Sequence, residues 1–185
     1  MRTFIAIEIP SEIKAALAAL QTDLRRADAD VSWTKPENIH LTLKFLGEVA
    51  EERIVEIEKV CLTLGDESHP FSLRLNDTGV FPNTRQPRVL WAGLSGDIES
   101  AAEMQTRLDE MLLLIGFERE EKKFQPHLTI GRLKSNKKTR ELLALADAHQ
   151  LPALSFDVSE IVLMKSELHP AGARYTPMAR ASLRK

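Results

Sequence analysis

The chain has 185 residues, 43 % of them apolar and 28 % charged, with a formal net charge of −2. That length suits one compact domain or two small lobes with a proper core, and the near-neutral charge excludes a whole-molecule basic field of the kind that gathers long nucleic acid. No apolar run approaches a membrane span, no signal-peptide pattern opens the chain, and a single cysteine excludes an intrachain disulfide or a multi-cysteine metal site, so a cytoplasmic setting is expected.

Residues 3–9 (TFIAIEI) read as a short apolar strand. From Ser11, an N-cap candidate after Pro10, the residues Ile13, Leu17, Leu20 and Leu24 recur on one helical face. After a loop comes a strand beginning His40-Leu41-Thr42-Leu43. Residues 51–64 form an amphipathic helix through Ile54, Ile57, Val60, Cys61 and Leu64, with Gly65 as its stop. Cys61 lies on the apolar face of that helix and reads as a small core residue, not a nucleophile. Residues 71–75 (FSLRL) alternate as a strand.

The order then recurs. Residues 90–96 (LWAGLSG) read as a strand, and Ile98, Ala101, Met104, Leu108, Met111 or Leu112, and Ile115 mark a helix ending at Gly116. A second histidine strand follows, His127-Leu128-Thr129-Ile130. Thr139–Ala148 reads as a shorter helix, and residues 156–164 (FDVSEIVLM) as one long alternating strand. The chain thus reads β-α-β-α-β twice. The expectation is a single α+β domain over residues 1–185 with an internal repeat of about 1–85 and 88–170. Identity between the halves is low outside the motifs, so the repeat is topological.

The two histidine strands fall at matching points of that repeat. The spacing from His40 to His127 also carries residues 3–9 onto 90–96. In a strand, alternate side chains share a face, so each histidine lies beside its own threonine. His69, His149 and His169 are not followed by a threonine two places on. A pseudo-two-fold arrangement of the halves brings two imidazoles and two hydroxyls to one cleft.

Such a set suits acid–base chemistry on a phosphodiester. One imidazole takes a proton from the attacking group while the other gives one to the leaving oxygen, both titrating near neutral pH. The hydroxyls of Thr42 and Thr129 donate to the non-bridging oxygens. Two rivals fit less well. A catalytic zinc site wants a third protein ligand, and neither motif carries HExxH spacing or an adjacent carboxylate. A serine triad wants a nucleophile elbow, and no GxSxG is present. No cofactor and no metal are expected. Basic residues cluster around the second motif (Arg119, Lys122, Lys123, then Arg132, Lys134, Lys137, Lys138 and Arg140), either as a solvated loop or as a positive rim.

With residues 2–10 (RTFIAIEIP), 33–47 (WTKPENIHLTLKFLG), 79–82 (GVFP) and 125–132 (QPHLTIGR), the chain resembles the two-histidine phosphoesterase superfamily. The match is nearest its bacterial and archaeal RNA 2′,3′-cyclic phosphodiesterase branch, long described as 2′-5′ RNA ligases. The resemblance implies a bilobal fold with antiparallel sheets around a central groove. It implies hydrolysis of an RNA 2′,3′-cyclic phosphodiester to a 2′-phosphomonoester, with 2′-5′ ligation as a secondary activity. By position, His40 is the implied proton donor and His127 the acceptor, with Thr42 and Thr129 holding the phosphate.

Arg132 matches a phosphate-binding arginine of the family, although strand parity from His127 points it to the wrong face unless Gly131 admits a bulge. By the same parity Lys44 shares the His40 face. Trp33, Phe81 and Tyr175 are stacking candidates for a base. The expected partner is an RNA end or a small cyclic nucleotide bound to a monomer, with no membrane contact. The alternatives are a non-catalytic RNA-end or nucleotide-binding module, and a cyclic phosphodiesterase of small nucleotides.

Overall fold

The structure is a computed structural model that describes residues 1–170 and 172–185. Among the described residues nine strands and four helices follow one another. In the first half come β1 (Arg2–Glu8), α1 (Ser11–Leu24), β2 (Val31–Trp33), β3 (His40–Glu48), α2 (Ile54–Glu67) and β4 (Phe71–Phe81). The second half supplies β5 (Val89–Gly96), α3 (Ile98–Leu114), β6 (His127–Leu133), α4 (Thr139–Ala148), β7 (Ser155–Val158), β8 (Glu160–His169) and β9 (Gly172–Ser182). Among the described residues every strand pairing is antiparallel.

The strand order β7-β4-β5-β6-β3-β1-β8-β9 makes two four-stranded lobes joined between β6 and β3. The join is one ladder pair, Leu41 opposite Leu128. Beyond it the lobes diverge, and β2 takes over the edge of β6 that β3 has left, with Trp33 opposite Gly131. Gly131 permits this: a Cβ there would lie 2.7 Å from Val31 Cγ1 and 3.3 Å from Trp33 Cε3.

The lobes are not the halves of the sequence. β4, from the first half, pairs with β5, and β8, from the second half, pairs with β1. The helices are exchanged too: α2 packs with α3 behind β3, β8 and β9, and α1 packs with α4 behind β4 and β6. The long strand expected over residues 156–164 is therefore two. The chain leaves the ladder at Ser159, where β7 ends its pairing with β4 and β8 begins in the other lobe.

The helix layer is fastened by the apolar stripes read from the sequence. Ile13, Leu17, Leu20 and Leu24 of α1, Ile57 and Leu64 of α2, Leu108 and Leu112 of α3, and Leu142 of α4 are all essentially inaccessible. Burying one such leucine contributes about 1.5–3 kcal/mol. Two expectations change. Ser11 is the first helical residue and makes no cap hydrogen bond, with extended Pro10 before it. Gly65 lies inside α2; its missing side chain lets Ser182 O of β9 approach to 2.5 Å of where a Cβ would stand. No helix of the described residues is long and apolar enough to cross a membrane.

Candidate active site

The Leu41–Leu128 pair fixes the geometry of the groove floor. In an antiparallel ladder that register sets His40 opposite Thr129 and Thr42 opposite His127, with all four side chains on the face away from the helices. Leu41, Leu128, Leu43 and Ile130 point the other way and are buried. The four polar residues thus form a rectangle whose diagonals join His40 to His127 and Thr42 to Thr129. Diagonal neighbours of this kind stand about 7–8 Å apart at Cα.

Each imidazole is held the same way. His40 Nδ1 lies 2.7 Å from Asn38 O, and His127 Nδ1 lies 2.7 Å from Gln125 O. A carbonyl only accepts, so Nδ1 carries the proton in both rings and Nε2 is left to exchange one with a ligand. Aromatic rings wall both sites. His40 stacks on Phe4 at 4.7 Å and meets the edge of Tyr175 at 5.3 Å. His127 meets Phe81 at 5.0 Å, and Phe81 packs on Trp91 at 5.1 Å.

This packing lowers both histidine pKa values, chiefly because burial disfavours the charged ring. For His40 the Asn38 carbonyl opposes the shift, Lys14 adds to it and Glu8 opposes it. For His127 the Gln125 carbonyl opposes it and Arg132 adds to it. Burial likewise raises the Tyr175 phenol, against the pull of Arg132 and Arg2. Arg132 is therefore felt at both His127 and Tyr175, one ring on each side of the groove.

Arg132 reaches the groove through a β-bulge. β6 pairs Thr129 with Trp91 and Gly131 with Leu90, leaving Ile130 extra. The extra residue reverses the parity, so Arg132 is exposed on the histidine face. β3 has the matching bulge: Thr42 pairs with Ala6 and Lys44 with Ile5, leaving Leu43 extra. There the reversal removes Lys44 from the groove. Lys44 is 5 % exposed and bonded to Asp109 of α3, so its expected place on the His40 face is corrected. Phe45 takes that place, 62 % exposed and 6.0 Å from Phe4.

Of the stacking candidates, Phe81 and Tyr175 line the groove. Trp33 does not: it packs against the main core with the Arg25 guanidinium 4.9 Å over its ring. Part of the expected basic rim is spoken for, since Lys137 and Lys138 both pair with Asp28. Sequence reasoning does not pick out Phe4, Trp91 or the two orienting carbonyls. Phe4 and Trp91 occupy matching places in the two repeats, which was the available signal. Among the described residues no three histidine, cysteine, aspartate or glutamate side chains gather as a metal-binding group.

Two antiparallel lobes that meet at paired His-x-Thr strands, each imidazole presenting Nε2 to one groove, define a two-histidine phosphoesterase. The chain belongs to the LigT-like phosphoesterase family, which matches residues 7–91 and 94–175. It is 37 % identical over 179 residues to the RNA 2′,3′-cyclic phosphodiesterase of Methanothermobacter thermautotrophicus, covering 96 % of each chain. A crystal structure of a Thermus thermophilus protein superposes with a TM-score of 0.83 at 32 % identity, over 100 % of this chain and 98 % of that one. E. coli LigT in complex with 3′-AMP superposes with a TM-score of 0.79 at 26 % identity, with the same coverage.

Proposed function

We propose that the protein hydrolyses RNA 2′,3′-cyclic phosphodiester ends to 2′-phosphomonoesters, with His40 and His127 as the acid and base. The carrying observation is the register of β3 against β6, which puts the two imidazoles on one diagonal and the two threonine hydroxyls on the other. A phosphorus atom over the centre of that rectangle has an imidazole on either side, as in-line displacement demands. The relatives named above support the substrate: one is named for this activity, and another is complexed with 3′-AMP.

In this reading neutral His127 takes a proton from water through Nε2 as the water oxygen bonds to phosphorus. The bond from phosphorus to the ribose 3′-oxygen breaks, and doubly protonated His40 gives that oxygen its Nε2 proton. The second oxygen stays bonded, so a 2′-phosphate remains. The charges around the two rings differ. The charged side chain that bears on His127 is the cation Arg132, which favours the neutral base. Burial and Lys14 disfavour the His40 imidazolium, the Asn38 carbonyl and Glu8 oppose them, and the negative charge of bound substrate adds to the stabilisation of the protonated ring. Thr42, Thr129 and Arg132 hold the non-bridging oxygens, where charge grows in the transition state. Both histidines come from one chain, so a monomer is sufficient.

The test incubates the protein, with EDTA, with an oligoribonucleotide ending in a 2′,3′-cyclic phosphate, and in parallel with a cyclic mononucleotide. A 2′-phosphate product is expected, with the oligonucleotide preferred. His40→Ala and His127→Ala each lower kcat by about 10²–10⁴. A 3′-phosphate product overturns the leaving-group assignment, and full activity in either variant overturns the two-histidine mechanism.

A further inference from the structure

The two histidine strands are approached by matching segments that are fastened by different means. Before His40, β2 is paired by backbone to β6, and the buried Gln21 of α1 donates to Thr34 O at 2.7 Å and to Ile130 O at 2.8 Å. Ile130 is the extra residue of the β6 bulge. The loop into His40 is thus tied to the strand that carries His127.

The spacing that relates the histidines carries β2 onto residues 118–120, the loop into His127. Here no strand forms. Side chains make the connection instead. Lys44 Nζ donates to Glu118 O at 2.7 Å and to Asp109 Oδ1. The Asp109 carboxylate in turn accepts from Glu120 N, at 3.1 Å to Oδ2. Lys44 sits directly after the extra residue of the β3 bulge, at the place that Gly131 holds in β6. Where glycine lets a strand come in, lysine reaches out to hold a loop.

Both members of the pair are almost wholly buried, Lys44 at 5 % and Asp109 at 9 % exposure. A buried ion pair is weak evidence of stability, because an apolar pair of like volume serves the fold as well or better. Polar connection of the loop is what an apolar pair does not supply. Five residues beyond Glu120, Gln125 O accepts from His127 Nδ1 and sets the ring.

We propose that Lys44, on the opposite histidine strand, and Asp109, on α3, are positioning residues for His127, acting through the loop at residues 118–120. The inference rests on the catalytic reading of His127 given above. It explains why a lysine is sequestered beneath the groove and why its partner also binds backbone.

The test is the double variant Lys44→Met/Asp109→Leu, which replaces the pair with apolar side chains. Its melting temperature stays within a few degrees of the parent, while kcat falls about tenfold or more with KM little changed, since small misplacements of a catalytic group are costly. In histidine-labelled protein the ring nitrogen resonances of His127 shift or broaden, and those of His40 do not. Asp109→Asn, which keeps the side-chain volume, shows the same pattern more weakly and serves if the double variant fails to fold. Parent-like kcat in a folded variant overturns the proposal, as does an equal response of His40 and His127. The resonances need no substrate, so absence of cyclic phosphodiesterase activity in the parent refutes the functional reading without obscuring this result.

Discussion

Replacing Leu128 with alanine attacks the one ladder pair that joins the lobes. Leu128 is 0 % exposed and opposes Leu41, itself 1 % exposed. The change removes three carbons, about 2.4 kcal/mol at 0.8 kcal/mol per buried methylene, and the cavity left behind raises the total to about 3–4 kcal/mol. For a domain of this size that is a fall in Tm of about 6–16 °C. Leu142→Ala on α4, also at 0 % exposure, removes the same atoms from the core away from the join and is expected to cost a similar amount. The two differ in activity. A shift of about 1 Å between β3 and β6 moves His127 against His40 and lowers kcat about 10–100-fold, whereas Leu142→Ala keeps kcat within about twofold. Thermal denaturation gives the stabilities, and single-turnover cleavage well below both melting temperatures gives the rates. Equal activity loss in the two variants refutes the idea that this pair sets the spacing of the histidines.

Three other outcomes are expected. Phe4→Leu admits water around His40, whose pKa burial holds down, so that pKa rises toward its ordinary value. A proton donor is lost as pH rises through its pKa, so the alkaline limb of kcat/KM moves to higher pH; movement of the acidic limb instead makes His40 the base. Gly79→Ala places a Cβ 2.2 Å from Trp91 Cζ2, forcing the indole off β4 at a cost of about 1–3 kcal/mol. Altered tryptophan emission and a slower reaction report the movement passing through Phe81 to His127. Cys61, 2 % exposed with its thiol pushed up to about 12 by burial and, less, by Glu58, reacts with thiol reagents only as the protein unfolds. Rapid labelling of the native protein contradicts that placement.

What the sequence disclosed was local and periodic. The stripes of α1 through α4 follow from spacing, except for Ile98, which is exposed at the start of α3, and the shared face of His40 and Thr42 follows from strand alternation. The limits of alternation account for the errors. Both Lys44 and Arg132 lie past an extra residue, and a single inserted position reverses every side chain beyond it. Gly131 hinted at this in β6, whereas nothing in Leu43-Lys44 marked the bulge in β3. The exchange of β4 and β8 was hidden for a different reason. Strand partners are chosen by long-range packing, and residues 156–164 contain no glycine or proline to mark Ser159, where the chain turns from one lobe to the other. Trp33 shows the limit of residue type: an aromatic ring near the motif is as useful under Arg25 as against a base.

The exchange between halves also orders events in time. As the chain is made from its N-terminus, β1 and β3 appear early, and so does His40. The neighbour that β1 needs, β8, spans residues 160–169, and the edge strand bearing Tyr175 comes later still. When both histidines already exist, the His40 lobe still presents Phe4 and the outer edge of β1 to water. A growing chain therefore holds all four groove-floor residues well before it holds the groove, whose His40 side waits for β8 and β9.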